Sequence, residues 1–177
     1  MVVFFRRFIG AMTLDPGAYE DIEHDRHAAM QSVLVVLLVC ASAGVGAIGL
    51  GLVGAAGFVS GAILTLGGWL VWIAVIKAVG TMTFPEPDTH STVPELLRTL
   101  GFASAPGVFL AFAAIREAAV FVGPIVAVWM LAASVLAMRQ ALDYHSTGRA
   151  IAVCFSSMLV ALAALAGVAW LLSARVS

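Results

Sequence analysis

The chain alternates between long apolar stretches and short polar segments, and this pattern predicts apolar helices joined by polar loops. An α-helix rises about 1.5 Å per residue, so roughly 20 apolar residues can cross a hydrocarbon core of about 30 Å. The longest polar interruption covers residues 81–106 and separates two such apolar blocks. The pattern therefore predicts an all-α integral membrane bundle of five transmembrane helices. The spans are expected at about 28–50, 58–82, 100–115, 118–138 and 150–172.

The apolar region 100–138 is too long for one span, because a straight helix of this length would measure roughly 58 Å. Arg116-Glu117 lies near its middle, and we place a tight turn there. Pro106 and Gly123-Pro124 are expected to kink the two resulting spans. The third span is therefore predicted to be short.

The composition indicates lipid as the solvent for most of the chain. Hydrophobic residues make up 62% and charged residues 11%, and the mean hydropathy is +1.07. A soluble domain carries about 25% charged residues. The net charge of −1 provides no basic surface for nucleic acid. We expect one membrane domain, residues 28–177, and no nucleic-acid partner.

Residues 1–27 are predicted to form a cytosolic, interfacial and amphipathic helical segment. Arg6 and Arg7 interrupt an apolar run, so they are expected to contact lipid headgroups, as is Lys77 at the inner end of the second span. Asp15-Pro16 predicts a helix start, with a capping side chain followed by proline at the first helical position.

The basic residues predict the orientation, since cytoplasmic loops of membrane proteins are enriched in Lys and Arg. With five spans and a cytoplasmic N-terminus, seven of the nine basic residues lie inside, whereas four spans would leave Arg116 in lipid. We expect a bacterial inner-membrane protein whose C-terminus lies outside. The inner residues are Arg6, Arg7, Arg26, Lys77, Arg98, Arg139 and Arg149, and the outer ones are Arg116 and Arg175.

The sequence contains few residues that suggest catalysis or cofactor binding. The predicted spans hold no ionisable residue at a midpoint and no histidine. Glu20, Glu23, His24 and His27 have helical spacing that suits either a metal or a solvated helix, and no fixed ligand set stands out. We predict no metal, no cofactor and no catalytic residue.

Small residues and cysteines within the spans are interpreted structurally. The glycines of residues 44–49 match a dinucleotide-binding pattern by letter, but they lie inside a span and are expected to permit close helix packing. Cys40 and Cys154 lie at different depths, so we predict that they do not form a disulfide.

Two charged pairs on the inner side are candidates for a partner-binding face. Glu95 and Arg98 are three residues apart after Pro94, and Arg139 and Asp143 are four apart at the exit of the fourth span, so each pair shares a helix face. Tyr144 suits an interfacial position beside the second pair. Both pairs are expected to close against each other and the acidic segment. The alternative is that these residues anchor helix ends at the headgroups.

Three stretches carry a resemblance to a known family. They are FRRFIGAMTLDPGAYEDIEHD before the first span, VPELLRTLGFASAPGVF entering the third, and VWMLAASVLAMRQALDYHSTGRAIAV across the fourth and fifth. Together they resemble the Yip family, the Ypt/Rab-interacting five-span membrane proteins, in its compact prokaryotic form. The resemblance implies a five-span fold and a non-enzymatic, membrane-organising role, without catalytic residues. The three stretches do not cover the longer cytosolic N-terminal region of eukaryotic members, which are linked to Rab GTPases and vesicle formation.

The expected function is that of a non-enzymatic membrane scaffold whose cytosolic face recruits a partner or organises lipid. Its partners would be the lipid bilayer and another membrane or cytosolic protein, or a second copy of the chain. A small transporter or channel, and an accessory subunit of a larger membrane complex, are the alternatives.

Overall fold

The computed structural model of the protein describes the backbone of residues 1–51, 54–84 and 91–173, and the side chains of these ranges except 49, 55–57, 59–65, 165 and 168–173. Every regular element in these ranges is a helix. The elements are α1 (Val2–Met12), α2 (Pro16–His24), α3 (Ala28–Gly49), α4 (Ala55–Met82), α5 (Val93–Ala103), a 3₁₀ helix (Ala105–Ala114), α6 (Arg116–Ala141) and α7 (Thr147–Ser173).

Three helical stretches are long and apolar enough to cross a membrane: Ala28–Ile48, Arg116–Ala141 and Thr147–Ala164. The bent pair of α5 and the 3₁₀ helix is a fourth candidate. In α4, the described side chains give the shorter apolar stretch Leu66–Met82. The all-α membrane bundle is therefore confirmed with three or four candidate spans, and the count of five stays a prediction.

The predicted third span, 100–115, differs most from the structure. Its helix begins earlier, at Val93, because the Glu95 carboxylate accepts a hydrogen bond from the Thr92 backbone N–H at 2.7 Å and caps the first turn. The segment then bends by 40° between α5 and the 3₁₀ helix, close to Pro106. The break expected at Pro106 is thus present, whereas α6 continues as one helix through Pro124.

A close-packed seam joins α3 to α5 and the 3₁₀ helix. A Cβ atom added at Gly46 would collide with the Leu110 carbonyl oxygen. Gly101 and Gly107 leave similar room for Ser32 and Val39, where an added Cβ would lie 2.6 and 2.5 Å from the nearest side-chain atom. The three α3 residues are spaced by seven, about two helical turns, so they lie on one face. The expectation that a glycine of the 44–49 stretch permits close packing is confirmed at Gly46.

The N-terminal segment forms a helical hairpin of α1 and α2. The turn uses Leu14 with φ of 61°, after which Asp15 accepts a hydrogen bond from the Gly17 N–H at 3.0 Å. Pro16 occupies the first turn of α2, so the helix start predicted from Asp15-Pro16 is confirmed. The Trp129 indole N–H of α6 donates to the Met12 carbonyl at 2.7 Å and ties the hairpin to the bundle.

Two faces of the molecule present apolar side chains to the surroundings. On α1, Val2, Phe5 and Ile9 are exposed, while the opposite side packs against the core. On α6, Phe121 and Val128 are 68% exposed. Exposed apolar surface of this extent suits a protein whose solvent is lipid.

Candidate functional site: a polar cleft at one end of the bundle

Four segments that are distant in sequence meet at one end of the bundle, which we call the polar end. The Arg98 guanidinium of α5 donates to the Glu23 carbonyl at the end of α2. The Tyr144 hydroxyl, just after α6, donates to the Gly80 carbonyl near the end of α4 at 2.7 Å. The Gln140 amide of α6 reaches the Pro16 carbonyl at 3.4 Å. These bonds join α2, α4, α5 and α6 at the same level.

Between α2 and the α6–α7 loop lies an open cavity of about 480 Å³, which we call the polar cleft. Both walls contribute charged side chains to it, and the carboxylates outnumber the arginine. Its lining residues are Glu20, Glu23, His24, Arg139, Gln140, Asp143, Tyr144 and His145. The polar cleft is therefore a place where a charged ligand or side chain can meet both signs of charge.

The α2 wall carries a carboxyl group with an altered acidity. Glu23 is half-buried, and burial together with the neighbouring charge of Asp143 raises its pKa to about 7. The His24 Nδ1–H donates to the Glu20 carbonyl at 2.9 Å, and this backbone hydrogen bond, with the nearby carboxylates, raises the pKa of the imidazole. Glu23 therefore titrates near neutral pH, and the His24 imidazole keeps its proton to a higher pH than an ordinary histidine.

The loop wall is formed where α6 ends. Asp143 has φ of 52°, a left-handed conformation that aspartate tolerates better than most residues, and its side chain is exposed. The Arg139 Nε donates weakly to the Tyr144 carbonyl at 3.4 Å. Tyr144 is 3% exposed, so its ring fixes the base of this wall. The left-handed residue Asp143 turns the backbone after α6 toward α7. Arg139 and Asp143 both line the cleft at this turn.

A separate ion-pair cluster fastens α1 to α2 beside the cleft. Arg7 is 3% exposed and binds Asp21 at 2.9 Å and Asp25 at 2.8 Å. The hydrogen bond from Arg7 lowers the pKa of the Asp21 carboxyl group. Arg6 binds the same Asp21 at 2.8 Å, but its side chain is 69% exposed. The two adjacent arginines therefore have different environments.

Comparison with known protein families decides the family. The Yip1 domain model matches residues 9–170, which is nearly the whole chain. The chain belongs to the Yip1 domain family. No curated protein and no solved structure matches it. Members of this family are non-enzymatic membrane proteins, in agreement with the apolar helices described above.

The Yip1 domain match includes all five residues predicted to form the partner-binding face. In the structure, three of them line the polar cleft and two lie on α5. Arg139, Asp143 and Tyr144 line the polar cleft with the acidic helix α2. Glu95 caps α5, and Arg98 is 6% exposed beneath α2. A partner-binding role for these five residues stays a prediction.

Headgroup contact by three basic residues also stays a prediction for this Yip1-domain protein. Arg6 is exposed, Lys77 is partly exposed in the last turns of α4, and the Arg7 guanidinium is occupied by protein carboxylates. Glu86, Asp88, His90 and Arg175 lie outside the described residues.

Metal binding has no structural support in the part of the chain that the structure describes, where no three His, Cys, Asp or Glu side chains form a group able to hold an ion. His27 does not line the cleft with Glu20, Glu23 and His24. Cys40 and Cys154 are two separate buried thiols.

Sequence reasoning expected the charged pairs to close against the acidic segment, but it did not name Glu20, Glu23 and His24 as residues of the partner-binding face. Glu20, Glu23 and His24 were recognised only as a possible ligand set or a solvated helix face. Their spacing of three and four residues was a usable signal, because it places them on one side of α2. Which residues of α2 would face Arg139 and Asp143, more than a hundred residues later in the chain, had no local signal.

Proposed function

We propose that this Yip1-domain protein is a non-enzymatic, five-span scaffold of a bacterial inner membrane that recruits a partner at its polar end. The N-terminus and the polar end face the cytoplasm, and the C-terminus lies outside. The observation that carries the proposal is the polar cleft, an open cavity whose lining presents both signs of charge to a binding partner.

The course of the helices supports five spans. Gly44 near the end of α3 packs against Phe58 near the start of α4, and Gly46 packs against Leu110 of the 3₁₀ helix. These contacts lie at the end of the bundle opposite the polar end, which we call the far end. Successive apolar segments therefore run in alternating directions, which suits a chain that crosses the membrane at each segment.

The recruiting surface consists of the cleft residues Arg139, Asp143 and Tyr144. Glu95 and Arg98 of α5 belong to the same surface and position the neighbouring helix ends. Glu95 fixes the start of α5, and Arg98 holds the end of α2, so these two residues keep the walls in place. The exposed Arg6 and Lys77 contact lipid headgroups around this surface.

A matched pair of double variants tests the proposal. Arg139→Gln with Asp143→Asn removes two charges at the polar cleft, and asparagine keeps the left-handed conformation accessible. Arg116→Gln with Glu117→Gln removes the same two charges at the exposed far-end turn. The tagged full chain would be purified in mild detergent, and co-purifying proteins would be quantified by mass spectrometry.

We expect a protein that is recovered in constant ratio with the wild type and the far-end variant, and lost with the cleft variant. Membrane insertion and thermal stability should stay unchanged in all three. Equal recovery by the cleft variant would contradict recruitment at the cleft. If the chain recovers only itself, the surface serves self-association, and stoichiometric recovery with several proteins would indicate a subunit of a larger complex.

A further inference from the structure

The charges that line the polar cleft are held apart. Glu20, Glu23 and Asp143 share the cavity with Arg139, yet among the described residues Arg139 forms no ion pair within 4.0 Å. Exposed side chains of opposite charge usually gain little free energy by pairing, because pairing restricts two flexible side chains. Side chains on walls that already face each other would lose less conformational entropy on pairing. The separation leaves room for a ligand between them.

Each wall suits a different chemical group. Carboxylates accept hydrogen bonds from an ammonium group, which has three N–H donors. A guanidinium presents several fixed donors and is the preferred protein partner of a phosphate. A ligand that carries an ammonium and a phosphate a short distance apart would satisfy both walls at once.

The position of the cleft indicates where such a ligand comes from. The cleft lies at the end of α6 and just before the start of α7, on whose first turns Ile151 and Phe155 are exposed apolar side chains. In a membrane this level corresponds to the lipid headgroups. We propose that the polar cleft binds the phosphoethanolamine headgroup of a membrane lipid, with the ammonium among Glu20, Glu23 and Asp143 and the phosphodiester at Arg139.

This inference uses the surface assigned to recruitment but needs no protein partner. It assigns the cleft a selectivity among lipids. Phosphatidylcholine has the same phosphate but no N–H donor, and phosphatidylglycerol has the phosphate without the cation. Both lipids should therefore bind less well than phosphatidylethanolamine with the same acyl chains.

The test is native mass spectrometry of the full chain in detergent, titrated with each of the three lipids. We expect phosphatidylethanolamine to bind roughly tenfold more tightly than the other two, since one charge-assisted interaction is worth about that much. Asp143→Asn and Arg139→Gln should each remove most of this preference. Glu117→Gln and Arg116→Gln, at the far end, should retain it.

Four results would overturn the proposal. The first is equal binding of the three lipids by the wild type, and the second is an undiminished preference in both cleft variants. The third is competition by a short lysine peptide that depends on Asp143 but not on Arg139, which would assign the cleft to a basic partner. The fourth is soluble phosphoethanolamine binding as tightly as the lipid, which would assign it to a free metabolite.

Folding and recruitment are separated from lipid binding by two further measurements. The thermal midpoint of each cleft variant should lie close to that of the wild type, and protein recovery is measured on the same variants. A cleft variant that loses protein recovery but keeps the lipid preference would reject the headgroup site and leave recruitment at the cleft standing. Loss of lipid preference with intact recovery would support the headgroup site and reject recruitment at the cleft.

Discussion

The two ends of the bundle are held together by different interactions. At the polar end, side chains bond to backbone carbonyls of other helices, as Tyr144 does to Gly80 and Arg98 does to Glu23. At the far end, the described contacts are close approaches of small residues, with Gly44 against Phe58 and Gly46 against Leu110. Hydrogen bonds hold the helices together at the polar end, and close van der Waals packing holds them together at the far end.

The difference follows from what surrounds each end. A helix that leaves the membrane has unpaired backbone carbonyls, and long polar side chains from neighbouring helices can satisfy them. Within lipid, apolar side chains gain nothing by leaving the solvent, so packing must come from closely fitted surfaces. The polar end can therefore contain an open cavity lined by charged side chains, whereas the close contacts at the far end leave little room for a cavity.

The strongest test of the comparison asks whether the two ends lie on opposite sides of a membrane. Reporter fusions within the loop 142–146 and at residue 177 should report opposite sides, with the loop in the cytoplasm, because seven of the nine basic residues are expected on that side. Alkaline phosphatase and fluorescent protein fusions would give the two readouts. The same side for both positions would refute five spans.

A large side chain at the far-end seam should have the greatest effect on stability. Gly46→Leu places atoms against the Leu110 carbonyl, which is backbone and cannot turn away, so we expect a loss of about 3 kcal/mol in unfolding free energy. Gly67→Leu is the matched control, since nothing lies within 4 Å of a Cβ atom there. Thermal unfolding in detergent checks both. A midpoint for Gly46→Leu equal to that of the control would show that the seam is not tightly packed.

The N-terminal hairpin should respond to the loss of its buried arginine. Arg7→Gln removes the ion pairs with Asp21 and Asp25 and the 3.2 Å hydrogen bond to Gln31, and we expect a loss of about 1–3 kcal/mol. Arg6→Gln removes an exposed partner of the same carboxylate and should cost less than about 1 kcal/mol. Proteolysis near residues 12–15 and thermal unfolding would both report the difference. Equal effects would mean that burial of Arg7 contributes nothing.

The smallest expected effect is a pH dependence that belongs to the polar end. Because burial and Asp143 raise the folded-state pKa of Glu23 from 4.5 to about 7, its stabilising contribution is complete below pH 4.5 and is lost as pH rises through 7. Glu95 acts in the same direction, and His24 and Arg98 oppose it. Glu23→Gln should therefore flatten the fall in thermal midpoint between pH 5 and pH 8 by a few degrees.

The matched control for the pH series is Glu117→Gln at the far end, which should leave the slope unchanged. His24 has a raised pKa as well, so part of the slope should persist in Glu23→Gln. A Glu23→Gln variant with the full wild-type slope would show that Glu23 is not the titrating group.

Local sequence signals predicted those parts of the fold that depend on neighbours along the chain. Apolar length located α3, α6 and α7, and Asp15-Pro16 located the start of α2. The sequence also predicted a helix start after Pro94, and the capping pattern of Thr92 and Glu95 explains it, so α5 begins ahead of the span predicted from residue 100. Helix spacing placed Arg139 and Asp143 together, and the structure brings both to α2.

Contacts between distant segments could not be predicted in the same way. Arg7 and Arg6 are identical residues in an apolar run, and only the position of α2 makes one buried and the other exposed. Arg98 has regular spacing to Glu95, but its bond is to a backbone carbonyl of another helix, which no side-chain pattern encodes. The polar cleft exists because four helix ends meet, and single-sequence periodicity contains no information on their arrangement.

The 3₁₀ geometry of residues 105–114 has a consequence for membrane thickness. The ten residues Ala105–Ala114 would reach only about 15 Å as an α-helix, half of a 30 Å core. A 3₁₀ helix rises about 2.0 Å per residue, so these ten residues gain roughly 5 Å of length without an added residue. A bilayer that is thinner or thicker by a few ångströms costs a transmembrane segment free energy through hydrophobic mismatch. A segment able to exchange α for 3₁₀ turns could match its length to the surrounding lipid.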